Sequence, residues 1–270
     1  MNETKPGNHA RHPLAYKNEK FLDSDDARPL RILAEYLEPL YRFEVQKVPG
    51  TVVFFGSARL APEGPLGRYY ADARTLARLF TQWSNGLPPA APRYLICSGG
   101  GHGIMEAANR GAADAGGRTI GLNISLPMEQ TANDYITPEL SLEFHSFFMR
   151  KLWFAHLARA VVIFPGGFGT LDEMSEILTL SQTDKLEGKM TVILYGEAYW
   201  REIINFEALV KHGMIGAEDL ALFSFASTPA DALEQLQRGL EPWLQAAAPA
   251  YAKTRPSGRG GSYLYQRSGD

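Results

Sequence analysis

The stretch Ala160-Val-Val-Ile-Phe-Pro-Gly-Gly-Phe-Gly-Thr170 decides how this chain is read. Its apolar, largely β-branched first half predicts a strand buried on both faces. Proline and three glycines then break the strand, and a helix is expected to begin at Leu171. The same alternation runs outward in both directions. Upstream, Thr51–Phe55 and Tyr94–Cys97 read as strands, followed by Gly56-Ser57 and by Ser98-Gly-Gly-Gly101. Helices are expected over residues 69–83 and 102–115, the latter closed by Gly116-Gly117, and a further strand over Arg118–Ile124. A loop over 127–139 leads to an apolar helix over Phe144–Ala158. Downstream come a strand at Met190–Tyr195, a helix at Tyr199–Lys211, a short apolar segment at Leu220–Phe225 and a helix from Thr228 to Leu244. Strand and helix in alternation predict the α/β class: a doubly wound, mainly parallel sheet with helices on both faces.

Residues 49–245 are expected to form this domain. Residues 1–48 read as a polar arm plus a helix from Pro29, with Ile32, Leu33, Tyr36, Leu37, Leu40 and Tyr41 at helical spacing. Residues 246–270 read as a flexible tail. The 270 residues are 45% hydrophobic and 21% charged, enough for a sizeable core. Lys plus Arg number 27 against 30 acidic residues, which argues against nucleic acid as the partner. The single cysteine, Cys97, excludes an internal disulfide, and the scattered histidines predict no metal site. No apolar run reaches the roughly 18 residues of a membrane span, and the first residues lack a secretory signal's apolar segment. A cytoplasmic protein without a membrane partner is expected.

Ligands of open α/β sheets collect beyond the carboxyl ends of the strands, where three glycine-bearing turns fall. Glycine lets backbone N–H groups approach an anion, and a helix amino end adds unpaired donors. A phosphate-bearing ligand is therefore expected. The turns are neither a lysine-bearing P-loop nor a first-strand dinucleotide fingerprint, and no Gly-x-Ser-x-Gly elbow supports a hydrolase triad. Ser57 and Ser98 are candidate donors, and His102 stands at a helix start. His145, His156 and Cys97 read as packing residues. Glu173 has two readings. It completes a Thr170-x-x-Glu173 capping box, or it points into the cleft as acid, base or carboxylate stabiliser. Glu176 shares its face, and Asp172 is expected to face water. Arg150 lies in a helix apolar nearly all round and needs an anion: Glu143, Glu173 or a ligand phosphate. Lys151 is expected to snorkel outward.

Pro165-Gly-Gly-Phe-Gly-Thr-Leu-Asp-Glu173 resembles the Pro-Gly-Gly-x-Gly-Thr-x-x-Glu signature of the LOG ("lonely guy") family of cytokinin-activating phosphoribohydrolases, long mislabelled as lysine decarboxylases. Ser98-Gly-Gly-Gly-x-Gly-x-Met105 resembles the family's nucleotide loop, Gly56-Ser-Ala-Arg59 its first-strand turn, and Met149-Arg-Lys151 its Arg-Lys pair. The four motifs fall in the family's order across residues 50–225. The resemblance implies a Rossmann-like fold and hydrolysis of the N-glycosidic bond of nucleoside 5′-monophosphates, AMP or N6-substituted AMP, to base and ribose 5-phosphate. It implies Arg150 and Glu173 as the catalytic pair, no cofactor, and a homodimer or higher homo-oligomer. Substrate contacts are expected from Gly56, Ser57, Ser98, Gly99, Gly100, Gly101, Met105, Gly166, Gly167, Gly169 and Thr170. Base preference is not read from the sequence; it is expected to depend on side chains of the 123–135 loop or on a second subunit. The chief alternative is a non-catalytic carrier of a nucleotide or of molybdenum cofactor, a pterin phosphate. Dinucleotide-dependent oxidation and lysine decarboxylation fit the residues less well.

Overall fold

The structure is a computed structural model that describes residues 14–126, 131–186 and 188–253. Seven parallel strands form one sheet in the order β4-β3-β2-β1-β5-β6-β7. They are β1 (Thr51–Phe55), β2 (Leu95–Ser98), β3 (Thr119–Ile124), β4 (Ser141–Phe144), β5 (Ala158–Ile163), β6 (Thr191–Tyr195) and β7 (Ser224–Ala226). The helices are α1 (Glu19–Leu22), α2 (Arg28–Val45), α3 (Gly67–Gly86), α4 (Ile104–Asp114), α5 (Phe147–Leu157), α6 (Phe168–Gln182), α7 (Glu197–Ile203), α8 (Phe206–Lys211) and α9 (Pro229–Lys253).

Every residue of β1 is buried because the strand is sandwiched. Val53 and Phe55 face a core that includes Trp153 of α5, Ile177 of α6 and Trp200 of α7. Val52 and Phe54 face the opposite core, with Leu76 of α3, Ala108 of α4 and Leu236 of α9. This two-residue period on a strand apolar throughout is what helices on both faces require. From β1 the chain winds outward to β4, then returns to place β5 against β1's other edge. The turns after β1 and β5 therefore leave a crevice between them, at the point where winding reverses.

Several elements differ from expectation. Residues 141–144 form an edge strand, with Leu142 and Phe144 inward and Glu143 out, so the next helix begins at Phe147 rather than Phe144. That helix, α5, is not enclosed. Met149, Arg150, Trp153 and Phe154 are buried, while Phe147, Phe148 and Leu152 are exposed. The single helix expected over 199–211 is two, because the Asn205 side chain accepts from Ala208 N at 2.9 Å and caps α8. Residues 14–27 fold into short helical turns; Arg31 Nη1 ties them to α2 by donating to Leu22 O (2.5 Å) and Ser24 O (2.6 Å). α9 runs through Pro249 to Lys253, across the break expected after residue 245. Residues 1–13, 127–130, 187 and 254–270, which carry parts of the expected arm, loop and tail, lie outside the described residues.

α2 docks through Trp153, which is 1% exposed. Its Nε1 donates to Glu35 O at 3.0 Å, and its ring lies 5.6 Å from Tyr36 and 5.4 Å from Phe43. Trp153→Ala is expected to cost about 3–5 kcal/mol in urea denaturation. A loss below about 1 kcal/mol would mean that this contact does not anchor the helix.

Candidate functional site

The turns after β1 and β5 are stitched together: Ser57 N donates to Pro165 O (3.0 Å) and Phe164 N to Phe55 O (2.8 Å). Ile104 N donates to Ser57 O at 3.1 Å, so the start of α4 joins the same junction. A Cβ at Gly56 would lie 2.7 Å from the Ile104 side chain, which makes glycine obligatory there. α6 begins at Phe168, three residues before the expected Leu171, and no side chain caps it. Its first amides have no intrahelical acceptor. They open on a cavity of about 730 Å³. Gly56, Ser57, Met105, Gly166, Gly167, Gly169 and Thr170 line this cavity, as do Arg150 and Glu173.

The early helix start removes the capping-box reading. Thr170 lies inside α6, 5% exposed, beneath Gly166, where a Cβ would collide with the threonine Oγ1. Glu173 is left free to face the cavity. Arg150 is 8% exposed. Its Nε donates to Leu122 O at 2.7 Å, its guanidinium lies 5.0 Å from the Phe154 ring, and Nη1 stands 3.6 Å from Glu173 Oε1. Of the two carboxylates expected as partners, Glu173 is the one it meets; Glu143 is exposed on β4. At 3.6 Å the pair is electrostatic rather than hydrogen-bonded. Burial pushes the Glu173 carboxyl up to about 7, with Arg150 pulling the other way. Burial lowers the Arg150 pKa, opposed by Glu173. Asp172 faces water as expected, whereas Lys151 is half-buried and engaged rather than free in solvent. Lys151 Nζ contacts Asp172 (2.9 Å) and Glu176 (3.0 Å) across the outer side of α6.

Ser98, Gly99, Gly100 and Gly101, expected to touch the ligand, do not line the cavity. They form a buried clasp beneath it. Ser98 Oγ donates to Asn109 Oδ1 (2.7 Å) and accepts from Gly100 N (3.0 Å), which leaves it no free proton for a ligand. Asn109 Nδ2 donates to Thr119 Oγ1 (2.6 Å) and Ile120 O (3.2 Å). Asn133 Nδ2 reaches Gly100 O (3.0 Å), Gly101 O (2.9 Å) and Asn109 Oδ1 (2.9 Å). The clasp holds Gly99 beside Arg150: a Cβ there would collide with Arg150 Nη2 and Met105 Sδ. His102 turns outward to Glu106, at 3.3 Å. His145 and His156 are exposed, and Cys97 is buried with its thiol pushed up by desolvation.

Sequence reasoning did not single out Asn109, Asn133, Tyr199 or Phe168, and it named Arg59 only as part of the first-strand turn. Asn109 carries a signal, being polar on the face of α4 that Ile104, Ala107, Ala108 and Ala112 bury. Tyr199 Oη donates to Gly166 O at 2.8 Å and bolts α7 to the turn. Phe168 stands 92% exposed at the cavity mouth. A second cleft, about 420 Å³, lies on the other side of the Gly166-Gly167 turn and shares Ser57, Arg59 and Tyr199 with the first. A cleft of about 750 Å³ opens at the amino ends of β6 and β7 against α9, away from both turns. Among the described residues no His, Cys, Asp or Glu group is arranged to hold a metal ion, and no helix is long and apolar enough to cross a membrane.

Residues 105–236 match the family described as "Possible lysine decarboxylase". The cytokinin riboside 5′-monophosphate phosphoribohydrolase of Rhodococcoides fascians is 31% identical over 141 residues, 50% of this chain and 68% of that protein. The Arabidopsis thaliana cytokinin riboside 5′-monophosphate phosphoribohydrolase LOG4 is 25% identical over 146 residues, 53% of this chain; the match spans 66% of the plant protein's length. Among solved structures, TM1055 is 21% identical over 70% of this chain and 99% of its own, with a TM-score of 0.50, a likeness of fold. The molybdenum cofactor binding protein of Rippkaea orientalis is 18% identical over 71% of this chain and 96% of its own, with a TM-score of 0.49.

The clasp yields a stability test. Asn109→Ala strands the Ser98 hydroxyl and one donor of Asn133 in the interior. Each lost partner of that kind costs about 1–3 kcal/mol. The urea midpoint of Asn109→Ala is expected to fall accordingly; an unchanged midpoint would show that the network does not hold the loop.

Proposed function

This chain belongs to the LOG family, and from that membership we propose that it hydrolyses the N-glycosidic bond of nucleoside 5′-monophosphates, AMP or N6-substituted AMP. The products are free base and ribose 5-phosphate. The observation that carries the reading is Arg150 and Glu173, 3.6 Å apart, on the wall of a cavity that also receives the uncapped start of α6. The amides of Gly166–Thr170, with the Ser57 hydroxyl, bind the 5′-phosphate and hold the ribose in place. As the C1′–N bond breaks, positive charge grows on the sugar and negative charge on the base. Ionised Glu173 stabilises the cationic sugar and draws a proton from the attacking water, whose oxygen bonds to C1′. The departing base takes up a proton from solvent, Glu173 returns the proton it drew from water to solvent, and Arg150 offsets the charge of the base as it leaves. Side chains, backbone donors and water suffice for every step, so no cofactor is assigned. The decarboxylase label finds no support in the cavity, since no lysine lines it among the described residues.

Release of ribose 5-phosphate from AMP and other nucleoside monophosphates, run beside the matching nucleosides, tests this. Glu173→Gln is expected to lower the rate by about 10²–10⁴. A raised carboxyl pKa leaves the group protonated below about 7, so wild-type kcat/KM should rise with pH through about 7, and that limb should vanish in Glu173→Gln. Absence of turnover on every monophosphate, with binding of a phosphorylated pterin, would replace the enzyme by a carrier.

We also propose that a second copy of the chain covers the outer faces of α2 and α5. Leu30, Leu33, Leu37 and Tyr41 form an exposed stripe along α2, and Phe148 and Leu152 are exposed on α5. Contiguous apolar surface of this kind marks an interface, and a two-fold dimer would pair the stripe with itself. Sedimentation should report twice the 29.8 kDa of one chain, falling to one chain in Leu37→Glu/Leu152→Glu. A wild-type monomer would overturn the assignment.

A further inference from the structure

We propose that Arg59 is the cation that receives the substrate phosphate, acting beside the Gly166–Thr170 amides. The inference rests on the nucleotide reading above and adds a specificity-determining residue to it. Among the described residues, two cationic side chains line the cavity, Arg59 and Arg150. Arg150 is buried, with Nε committed to Leu122 O and Nη1 facing Glu173. Lys151, the next cation along α5, is held by Asp172 and Glu176. Arg59 is exposed, and no carboxylate among the described residues pairs with it.

The backbone that carries it is nonetheless fixed. Arg59 N donates to Ser57 Oγ at 3.1 Å, Ser57 N donates to Pro165 O at 3.0 Å, and the next residue, Leu60, is 7% exposed. A long side chain on an anchored base can swing without disturbing the loop. Its position matters as much as its freedom. Arg59 lines both clefts that meet at the Gly166-Gly167 turn, so it stands at their junction, beside the open amides of α6. A phosphomonoester carries nearly two negative charges near neutral pH, whereas a helix amino end supplies the equivalent of about half a positive charge. A guanidinium supplies the remaining charge and matches two phosphate oxygens at once. This gives the site a means of selecting nucleotide over nucleoside by charge.

The test uses the full chain and reads binding separately from turnover. Wild type, Arg59→Ala and Arg59→Lys are titrated calorimetrically with AMP, ribose 5-phosphate and adenosine, with circular dichroism to confirm the fold. Arg59→Ala should weaken AMP and ribose 5-phosphate about tenfold or more while leaving adenosine unchanged, and Arg59→Lys should recover part of the loss. Where AMP is turned over, the loss should appear in KM more than in kcat. Affinities of Arg59→Ala for AMP and ribose 5-phosphate within twofold of wild type would overturn the proposal. So would an equal loss for adenosine, which would mark a role in cavity shape, and so would a wild type that binds neither phosphate ligand. A wild type that binds AMP without cleaving it would sink the hydrolase reading alone, since the affinity comparison still decides Arg59.

Discussion

A guanidinium taken out of water is the constraint around which this end of the molecule is arranged. Arg150 lies on the inward side of α5, beside Trp153 and Phe154. An isolated charge there would be prohibitively costly. Two compensations are built in, the Leu122 carbonyl at 2.7 Å and the Glu173 carboxylate at 3.6 Å. The first comes from β3 and the second from α6, so the arginine joins elements on either side of the sheet's reversal point. The space it occupies is kept open by Gly99, where any side chain would collide with it. Gly99 in turn is held in register by the Ser98, Asn109 and Asn133 network. The glycine-rich loop after β2 thus supports the site from below, while the loop after β5 faces the cavity. Two similar motifs in the sequence serve different ends.

The strand–helix alternation was legible because central parallel strands are apolar on both faces and end in glycine turns. β1 was read to the residue for that reason, and β5 to within two residues at its start and one at its end. β4 was not, because Ser141-Leu-Glu-Phe144 is an edge strand whose pattern is too short to stand apart from the apolar helix after it. Arg150 and Glu173 stood out as charges in contexts that required explanation. The role of Ser98 did not, since its partner Asn109 lies on the next helix and Asn133 lies 24 residues beyond that. Only the fold brings the three together. On α2 the three-and-four spacing correctly announced a helix, yet Leu33, Leu37 and Tyr41 point outward while Ile32, Leu40 and Phe43 pack inward. Periodicity reports that apolar residues share a helix; it does not report which stripe the core takes.

The separation of Arg150 from Glu173 has a chemical meaning of its own. A short bidentate bridge would occupy the carboxylate and hold it firmly ionised. At 3.6 Å the charges still attract, but the carboxylate oxygens keep capacity for another partner. Desolvation is then free to raise the Glu173 pKa to about 7, where either protonation state is accessible near neutral pH. A phosphate bound at the start of α6 would add negative charge and favour the protonated form further. In the proposed hydrolysis, positive charge growing on the ribose would act in the opposite direction, favouring the ionised carboxylate that faces it. An interaction that strengthens only as the transition state is approached is the kind that accelerates a reaction rather than merely tightening binding. The same desolvation that makes Arg150 expensive to bury therefore leaves Glu173 responsive to the charge changes that the proposed glycosidic cleavage would bring.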